Sequence, residues 1–441
     1  MNIQTSESET SPDAVPVSSG IVRGSLARMA FLIALGWLGT NVGLNIGEFV
    51  LKFFLKEQLH LTADKVAAFF FVGQFTNYIK PLAGLCTDSI PLFRTRRRYY
   101  LILSLLGTGL FFLLLIVVPP TYSVMLFTYV FFYLTVVFTS TTLGGVMVEV
   151  GMQHKAEGRL TAQRIAMFRV GSLVGGPIGG WLASYPFALA MGAASFWHLV
   201  LVPLFFLFLP EAPTAQLNTG VWTEAKRQFG VLIRSSTLLS AAGMIFLIAA
   251  SPGFNTPLLF YQTDTLHFNK LLIGSLSTVS AATGILGTIL YFVACRRFNL
   301  RTLLAASIIV HAIGTLFYLR YNSVQSAIAI TAVSGLTGTL ATLPVYDLAF
   351  RATPKGSEAL GYAVMMSVWN FTNGISDWTG SWLFARFHLT FLHLVWLNAG
   401  TTTLVLFVVP FLPAALAMRR DGLATAPRPW PASKPEKKET P

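Results

Sequence analysis

Long apolar runs, parted by short polar intervals, fill most of this chain. Twelve of them lie at about 27–52, 64–86, 99–118, 122–148, 160–184, 187–209, 236–262, 270–294, 301–319, 324–349, 358–384 and 388–412. Each reaches the roughly 20 mostly apolar residues that a helix needs to cross the hydrocarbon core of a bilayer. The runs are continuous, which excludes the short alternating segments of a membrane barrel. The expectation is an all-α membrane protein with twelve transmembrane helices. Outside the runs, residues 1–22 are polar with no apolar stretch, so they read as a cytoplasmic tail and not a cleaved signal peptide. Residues 413–441 are rich in Pro and Lys and read as a second disordered tail. Residues 210–235 begin with prolines and end amphipathically, as a cytoplasmic linker does.

The pattern repeats. After the first run the chain reads FLKEQLHL (54–61), and after the seventh YQTDTLHF (261–268). Phe54 answers to Tyr261, Glu57 to Asp264, and Leu59-His60-Leu61 to Leu266-His267-Phe268. RRRYYLILS after the second run parallels FNLRTLLAAS after the eighth, and Glu149 ending the fourth answers roughly to Asp347 ending the tenth. Six runs precede the linker and six follow it. This predicts two pseudo-symmetric six-helix halves, 23–209 and 236–412, an arrangement that resembles the major facilitator architecture. In such folds the substrate site lies near the midplane between the halves.

Charge sharpens the picture. Only 11% of residues are charged, against about 25% in soluble domains. A formal net charge of +13 raises the question of nucleic acid. Most of the Lys and Arg, however, fall at the termini and the even-numbered connections. That is the positive-inside bias, with both termini cytoplasmic. It makes the lipid bilayer, and not nucleic acid, the partner of this basicity. Cys86 and Cys295 fall at predicted cytoplasmic ends, where a structural disulfide is not expected. The seven histidines show no metal-ligand spacing, and no cofactor motif is present.

Ionisable residues inside spans are costly and mark cavities or partners. Here they fall on the first (Glu48), second (Lys80), fourth (Glu149), fifth (Arg164, Arg169), tenth (Asp347) and eleventh (Asp377) runs. The third, sixth, ninth and twelfth carry none in their apolar cores. Asn41, Asn45 and Glu48 share one helical face, either as an interhelical hydrogen-bond ladder or as a cavity lining. The repeat sets Glu48 opposite Asn255 in SPGFNTP, whose two prolines break the helix and free carbonyls that must meet something polar. Asn370, Asn373 and Asp377 form a similar face. Glu48 and Asp377 are candidates for proton uptake or for buried ion pairs. Arg169, about 14 Å into its helix, asks for a carboxylate from Glu48, Asp377 or an anionic substrate. Gly171, Gly175 and Gly179 form a small-residue stripe for tight packing.

Lys80 precedes Pro81 near the end of the second run, and Gly84, Asp88 and arginines 94 and 96–98 follow. This resembles the loop between helices 2 and 3 of major facilitator transporters. The resemblance implies a cytoplasmic gate of Asp88, Arg97 or Arg98, and Glu149, with Asp347 as the counterpart in the second half. More narrowly, YIKPLAGLCTDSIPLFRTRRRYYLIL, TPLLFYQTDTLHF and TPKGSEALGYAVMMSVWN resemble the folate–biopterin transporter family. Members commonly carry an aspartate where this chain has Gly144. The resemblance implies a secondary active transporter of a small organic, anionic solute of folate or pterin type, working by alternating access with the proton as coupling ion, in the cell membrane. Other readings are a carrier of a peptide, nucleotide or drug, or a receptor that transports nothing. No Walker loop and no Ser/His/Asp constellation points to an enzyme.

Overall fold

The computed structural model describes residues 25–213, 220–354, 357–413 and 416. The two expected tails lie almost wholly outside these residues. The regular elements among them are helices that follow the apolar runs. The first run forms α1 (Leu26–Glu57), and the second forms α2 (Ala63–Gly73), α3 (Phe75–Tyr78) and α4 (Lys80–Ser89). Then come α5 (Arg98–Val117), α6 (Tyr122–His154) and α7 (Glu157–Leu182), with α8 (Phe187–Leu199) and α9 (Leu201–Phe208) sharing the sixth run. The linker ends in α10 (Gly220–Arg234). The seventh run forms α11 (Ser236–Ala249), α12 (Asn255–Phe260) and a π-helical turn, Tyr261–Thr265. The last runs form α13 (Lys270–Arg297), α14 (Leu300–Leu316), α15 (Val324–Ala352), α16 (Glu358–Arg386) and α17 (Phe391–Leu404).

Among the described residues, nine helices are long and apolar enough to cross a membrane, or ten if the bent pair of α10 and α11 is one span. The second, seventh and eleventh runs are not among the nine. The second is broken at Gln74 and Ile79, and Pro81 stands in the first turn of α4. There its fixed φ and missing N–H cost nothing, so Pro81 stands at the start of a new helix. The seventh is broken at Pro252, and the eleventh carries the Asn370, Asn373 and Asp377 face.

The chain forms two compact units, one of residues up to Phe54 with Val72–Lys226, the other of Leu55–Phe71 with residues from Arg227 onward. In the first, Met29, Ile33 and Trp37 of α1 pack with Leu101 and Leu105 of α5, Leu143, Val146 and Val150 of α6, and Phe205 of α9. Gly171 and Gly175 of α7 meet α1 so closely that an added Cβ would stand 2.6 Å from the Cβ of Asn41 and 2.7 Å from that of Asn45. The small-residue stripe therefore packs helix on helix.

In the second unit, Leu238 and Ile245 of α11 pack with Leu300 and Leu304 of α14, Val345 and Leu348 of α15, and Met365 of α16. Five of its helices start on polar side chains that accept from backbone N–H groups left without partners in the first turn. Ser235 caps Leu238, Asn269 caps Leu272, Asn299 caps Thr302, and Ser323 and Thr390 form reciprocal boxes with Ser326 and His393.

The sequence repeat has a backbone counterpart. His60 and His267, 207 residues apart, both adopt left-handed φ values, 48° and 53°. After each, the chain closes the same bond, Leu61 N–H to Leu55 O (3.1 Å) and Phe268 N–H to Gln262 O (2.8 Å). The segment Leu55–Phe71, although early in the chain, belongs to the second unit. Lys56 pairs with Asp264 and lies over the Phe260 ring, Lys270 donates to Glu57 at 2.6 Å, and Phe71 stacks on Trp378.

Gly175→Val should overpack the α1–α7 contact and destabilise the protein by about 1–3 kcal/mol. Gly192, around which no atom lies within 4 Å of an added Cβ, should accept Ala with a gain of about 0.5–1 kcal/mol in helix stability. Thermal unfolding of the purified variants checks both directions.

Candidate functional site

The charged cluster of the first unit is built on a strained loop. Between α4 and α5, Leu92 and Thr95 exchange backbone hydrogen bonds of 2.7 and 2.9 Å, while Phe93 and Arg94 hold φ values of 47° and 66°. Two successive non-glycine residues in the left-handed region cost of order 1–3 kcal/mol each and persist only where surroundings fix them. The fixing group is Glu211, just past α9. Its carboxylate accepts from three consecutive backbone N–H groups, those of Arg96 (2.6 Å), Arg97 (3.0 Å) and Arg98 (2.7 Å). It caps the free donors at the start of α5 and places a negative charge at the positive end of that helix.

Held in this way, Arg97 reaches three partners. Its Nη2 lies 2.6 Å from Asp88 Oδ1, its Nε donates to Glu149 Oε1 at 2.8 Å, and its Nη1 donates to Thr87 Oγ1 at 3.1 Å. The guanidinium lies against Gly145 of α6, where an added Cβ would come within 2.6 Å of Cζ. Burial disfavours its charge, and the attraction of Asp88 and Glu149 more than offsets this, holding its pKa above the ordinary value. Arg98 does not join them. It donates to the Phe206 carbonyl and lies over the Phe206 ring, because helical geometry turns successive side chains about 100° apart. Asp347 is paired one turn along its own helix, with Arg351 at 2.6 and 2.7 Å, and accepts from Tyr291.

Other sequence candidates divide into two sorts. Asn41 and Asn45 donate to the carbonyls of Trp37 (3.1 Å) and Asn41 (2.8 Å) within α1, with their Cβ atoms against the α7 stripe. Neither forms the interhelical ladder entertained from the sequence. The Asn41 side chain in particular is buried in packing. Asn373 likewise donates to Trp369 O in its own helix (2.7 Å). Asn370 is half-buried on the same helix and Asn255 is exposed at the start of α12.

Asp377 is structural in its contacts. Its two oxygens accept from Thr256 N–H (2.9 Å) and Thr256 Oγ1 (2.7 Å), which caps α12 across the break. The freed groups are met nearby. Gly253 N–H donates to Ser376 O (2.9 Å), Ser376 Oγ to Ser251 O (2.5 Å), and Asn398 Nδ2 to Pro252 O (2.9 Å). Two carbonyls of the break, those of Ser251 and Pro252, thus meet α16 and α17 side chains.

Glu48 accepts from Tyr129 OH at 3.0 Å, and Tyr129 is also bonded to Gln74. Tyr133 and Lys52 lie within electrostatic reach of Glu48. Lys80 is half-buried, makes no ion pair among the described residues, and has Arg164 as a charged neighbour. Arg164 in turn lies over the Trp37 ring at 4.6 Å, and Arg169 is half-buried one helical stretch further along α7. Sequence reasoning missed Glu211, Thr87, Gly145 and Tyr129. The Gly144-Gly145 pair before Glu149 was the available signal for Gly145. The tyrosines looked like any apolar aromatic.

The fold is that of membrane transporters of the major facilitator type. The chain matches a solved nucleoside transporter, NupG, at TM-score 0.70 and 12% identity, over 87% of this chain and 100% of that one. It matches a POT family transporter in complex with 5-aminolevulinic acid at TM-score 0.70 and 13% identity, over 90% and 99%. A D-xylose-proton symporter matches at TM-score 0.63 and 16% identity, over 89% and 99%.

Within that class the chain belongs to the BT1 family, which matches residues 42–417. It is 27% identical over 434 residues to a folate-biopterin transporter of Synechocystis sp., covering 90% of this chain and 82% of that protein. It is 23% identical over 370 residues to folate transporter 1 of Plasmodium falciparum, covering 77% and 69%. The family is one of multi-pass membrane transporters and not of enzymes.

Glu211→Ala should destabilise the protein by about 1–2 kcal/mol, the usual cost of losing a helix cap. Glu211→Gln, which keeps one acceptor oxygen, should lose less. Thermal melts of the two variants beside the parent protein give the order.

Proposed function

We propose that the protein is a secondary active transporter with twelve spans in two six-helix halves, 23–209 and 236–412. It sits in the cell membrane with both termini cytoplasmic and carries a small organic anion of the folate or pterin class. The observation that supports this most is Lys80. It stands within a span, makes no ion pair among the described residues, and has a second cation, Arg164, within electrostatic reach. Two like charges at membrane depth are stabilised by an anion between or near them. Arg169, with its planar fork, adds a carboxylate-binding group. A folate offers carboxylates for these cations and a flat ring for neighbouring aromatics such as Phe168. Asn255, Asn370, Asn373 and Asp377 are the corresponding polar groups of the second half.

In this reading Asp88, Arg97 and Glu149 form a gate, with Arg98 at its edge and Asp347 as the counterpart in the other half. Transport follows alternating access and is driven by protons, with Glu48 as the coupling carboxyl. One observation favours a second solute. Where family members carry an aspartate, Gly144 leaves open space within 4 Å, so a nucleotide or a peptide carboxylate also fits the class.

Uptake of radiolabelled folate and biopterin into proteoliposomes tests the substrate. Lys80→Gln should weaken apparent affinity tenfold or more, since a hydrogen bond to a charged group contributes about 1.5–3 kcal/mol, and Lys80→Arg should recover part of it. Unchanged affinity in Lys80→Gln would remove Lys80 from the site. Uptake of a nucleotide or peptide in place of folate would select the second solute.

Coupling has its own test. Glu48→Gln, fixed in the neutral state, should abolish accumulation driven by a pH gradient while preserving exchange of solute at equal concentrations. Intact pH-driven accumulation would pass the role to Asp377.

A further inference from the structure

The helix α10 has a face that neither the packing nor the proposed transport cycle uses. Its sequence is GVWTEAKRQFGVLIR. At 100° per residue, Trp222, Phe229 and Ile233 fall within an arc of about 40°. They are 39%, 52% and 54% exposed, whereas Ala225 and Leu232, beside them on the wheel, are buried. Lys226 borders the stripe on its other side and is exposed, and Arg234 stands exposed in the last turn. The one acid of the helix, Glu224, points away from the stripe.

The next helix explains why so apolar a face is left uncovered. After Ser235 the chain turns by 73° into α11, whose Leu239, Phe246 and Leu247 are themselves exposed. A helix at this angle to a spanning helix runs close to the membrane plane. Its exposed stripe is followed along the chain by the exposed apolar side chains of α11. An amphipathic helix with aromatics on one face and lysine or arginine beside them is the form that settles into a bilayer interface.

We propose that α10 lies in the headgroup region of an anionic bilayer, with Trp222, Phe229 and Ile233 among the upper acyl chains and Lys226 and Arg234 on lipid phosphates. Lys226 can bury its stem along the apolar stripe and keep its charge at the phosphate level, and Arg234 can reach that level from the last turn. The linker between the two sets of spans is then anchored to lipid, and the lipid composition reaches the protein through it.

The test places a nitroxide at Phe229→Cys or at Thr223→Cys, in a Cys86→Ser, Cys295→Ser background. The full-length protein is reconstituted into phosphatidylcholine vesicles with and without phosphatidylglycerol. The label at 229 should collide preferentially with oxygen, and that at 223 with an aqueous nickel chelate, with the contrast greatest in the anionic vesicles. Lys226→Gln with Arg234→Gln should lower the inserted-to-free ratio of α10 about thirtyfold in those vesicles.

Where the cysteine-free background does not fold, a photo-crosslinking amino acid at position 229 of the otherwise unaltered chain gives the same reading. Adducts with lipid support the proposal. Equal nickel access at 229 and 223, or adducts with this chain, a second copy or another protein, would overturn it. Equal insertion in phosphatidylcholine alone would overturn its anionic part.

Discussion

Inside a bilayer no water is at hand for a backbone N–H or C=O, and each must find its partner in the protein. Unbroken helices meet this by themselves, which is why most spans here are plain. At the break between α11 and α12, Ser376, Asp377, Asn398 and Thr256 take over the task. The polar face of α16 is thus partly a repair of the prolines at 252 and 257. A polar residue in a span has two possible employers, the backbone and the solute, and only its contacts tell which one holds it.

The same sorting applies to charge. Arg97 is enclosed by two carboxylates, a hydroxyl and a glycine that makes room for it, with Glu211 fixing the loop from behind. Such an arrangement is self-sufficient, and a buried pair of this kind is strongly disturbed by removal of either partner. Lys80 is the contrary case, a cation with no ion pair among the described residues and with another cation, Arg164, within electrostatic reach. Glu48 sits between these extremes, held by one phenol and near one lysine. The three sites differ in how much of their charge the protein itself neutralises, and under the proposed transport role the least neutralised of them is the one left for a solute.

Much of the fold was legible in the sequence. Apolar runs gave the helices within a few residues because hydrophobic length is the dominant signal in a membrane. The repeat was legible at His60 and His267, where the same cap recurs. The second and seventh runs read as single helices, since a run of apolar letters hides a break such as that at Gln74, whereas the eleventh does form the single helix expected. Of the candidate site, the Asp88, Arg97 and Glu149 constellation could be read from motif and spacing. The choice of Arg97 over Arg98 could not, because it depends on the turn at Phe93 and Arg94. Spacing put Asn41 and Asn45 on one face but could not tell that their Cβ atoms meet the glycines of α7. Glu211 was hidden because its partners are backbone groups, which leave no letter in the sequence.

The break at Ser251 to Phe254 also bears on how the protein is made. The groups that satisfy it lie 121 to 146 residues further along the chain. A ribosome adding 5–20 residues per second needs about 6–30 s to deliver them. For that interval the nascent α11–α12 segment carries polar backbone that lipid cannot satisfy. It therefore waits beside the insertion machinery, or at the water interface, until α16 and α17 arrive. The order of synthesis leaves this segment among the last of the chain to settle into the bilayer.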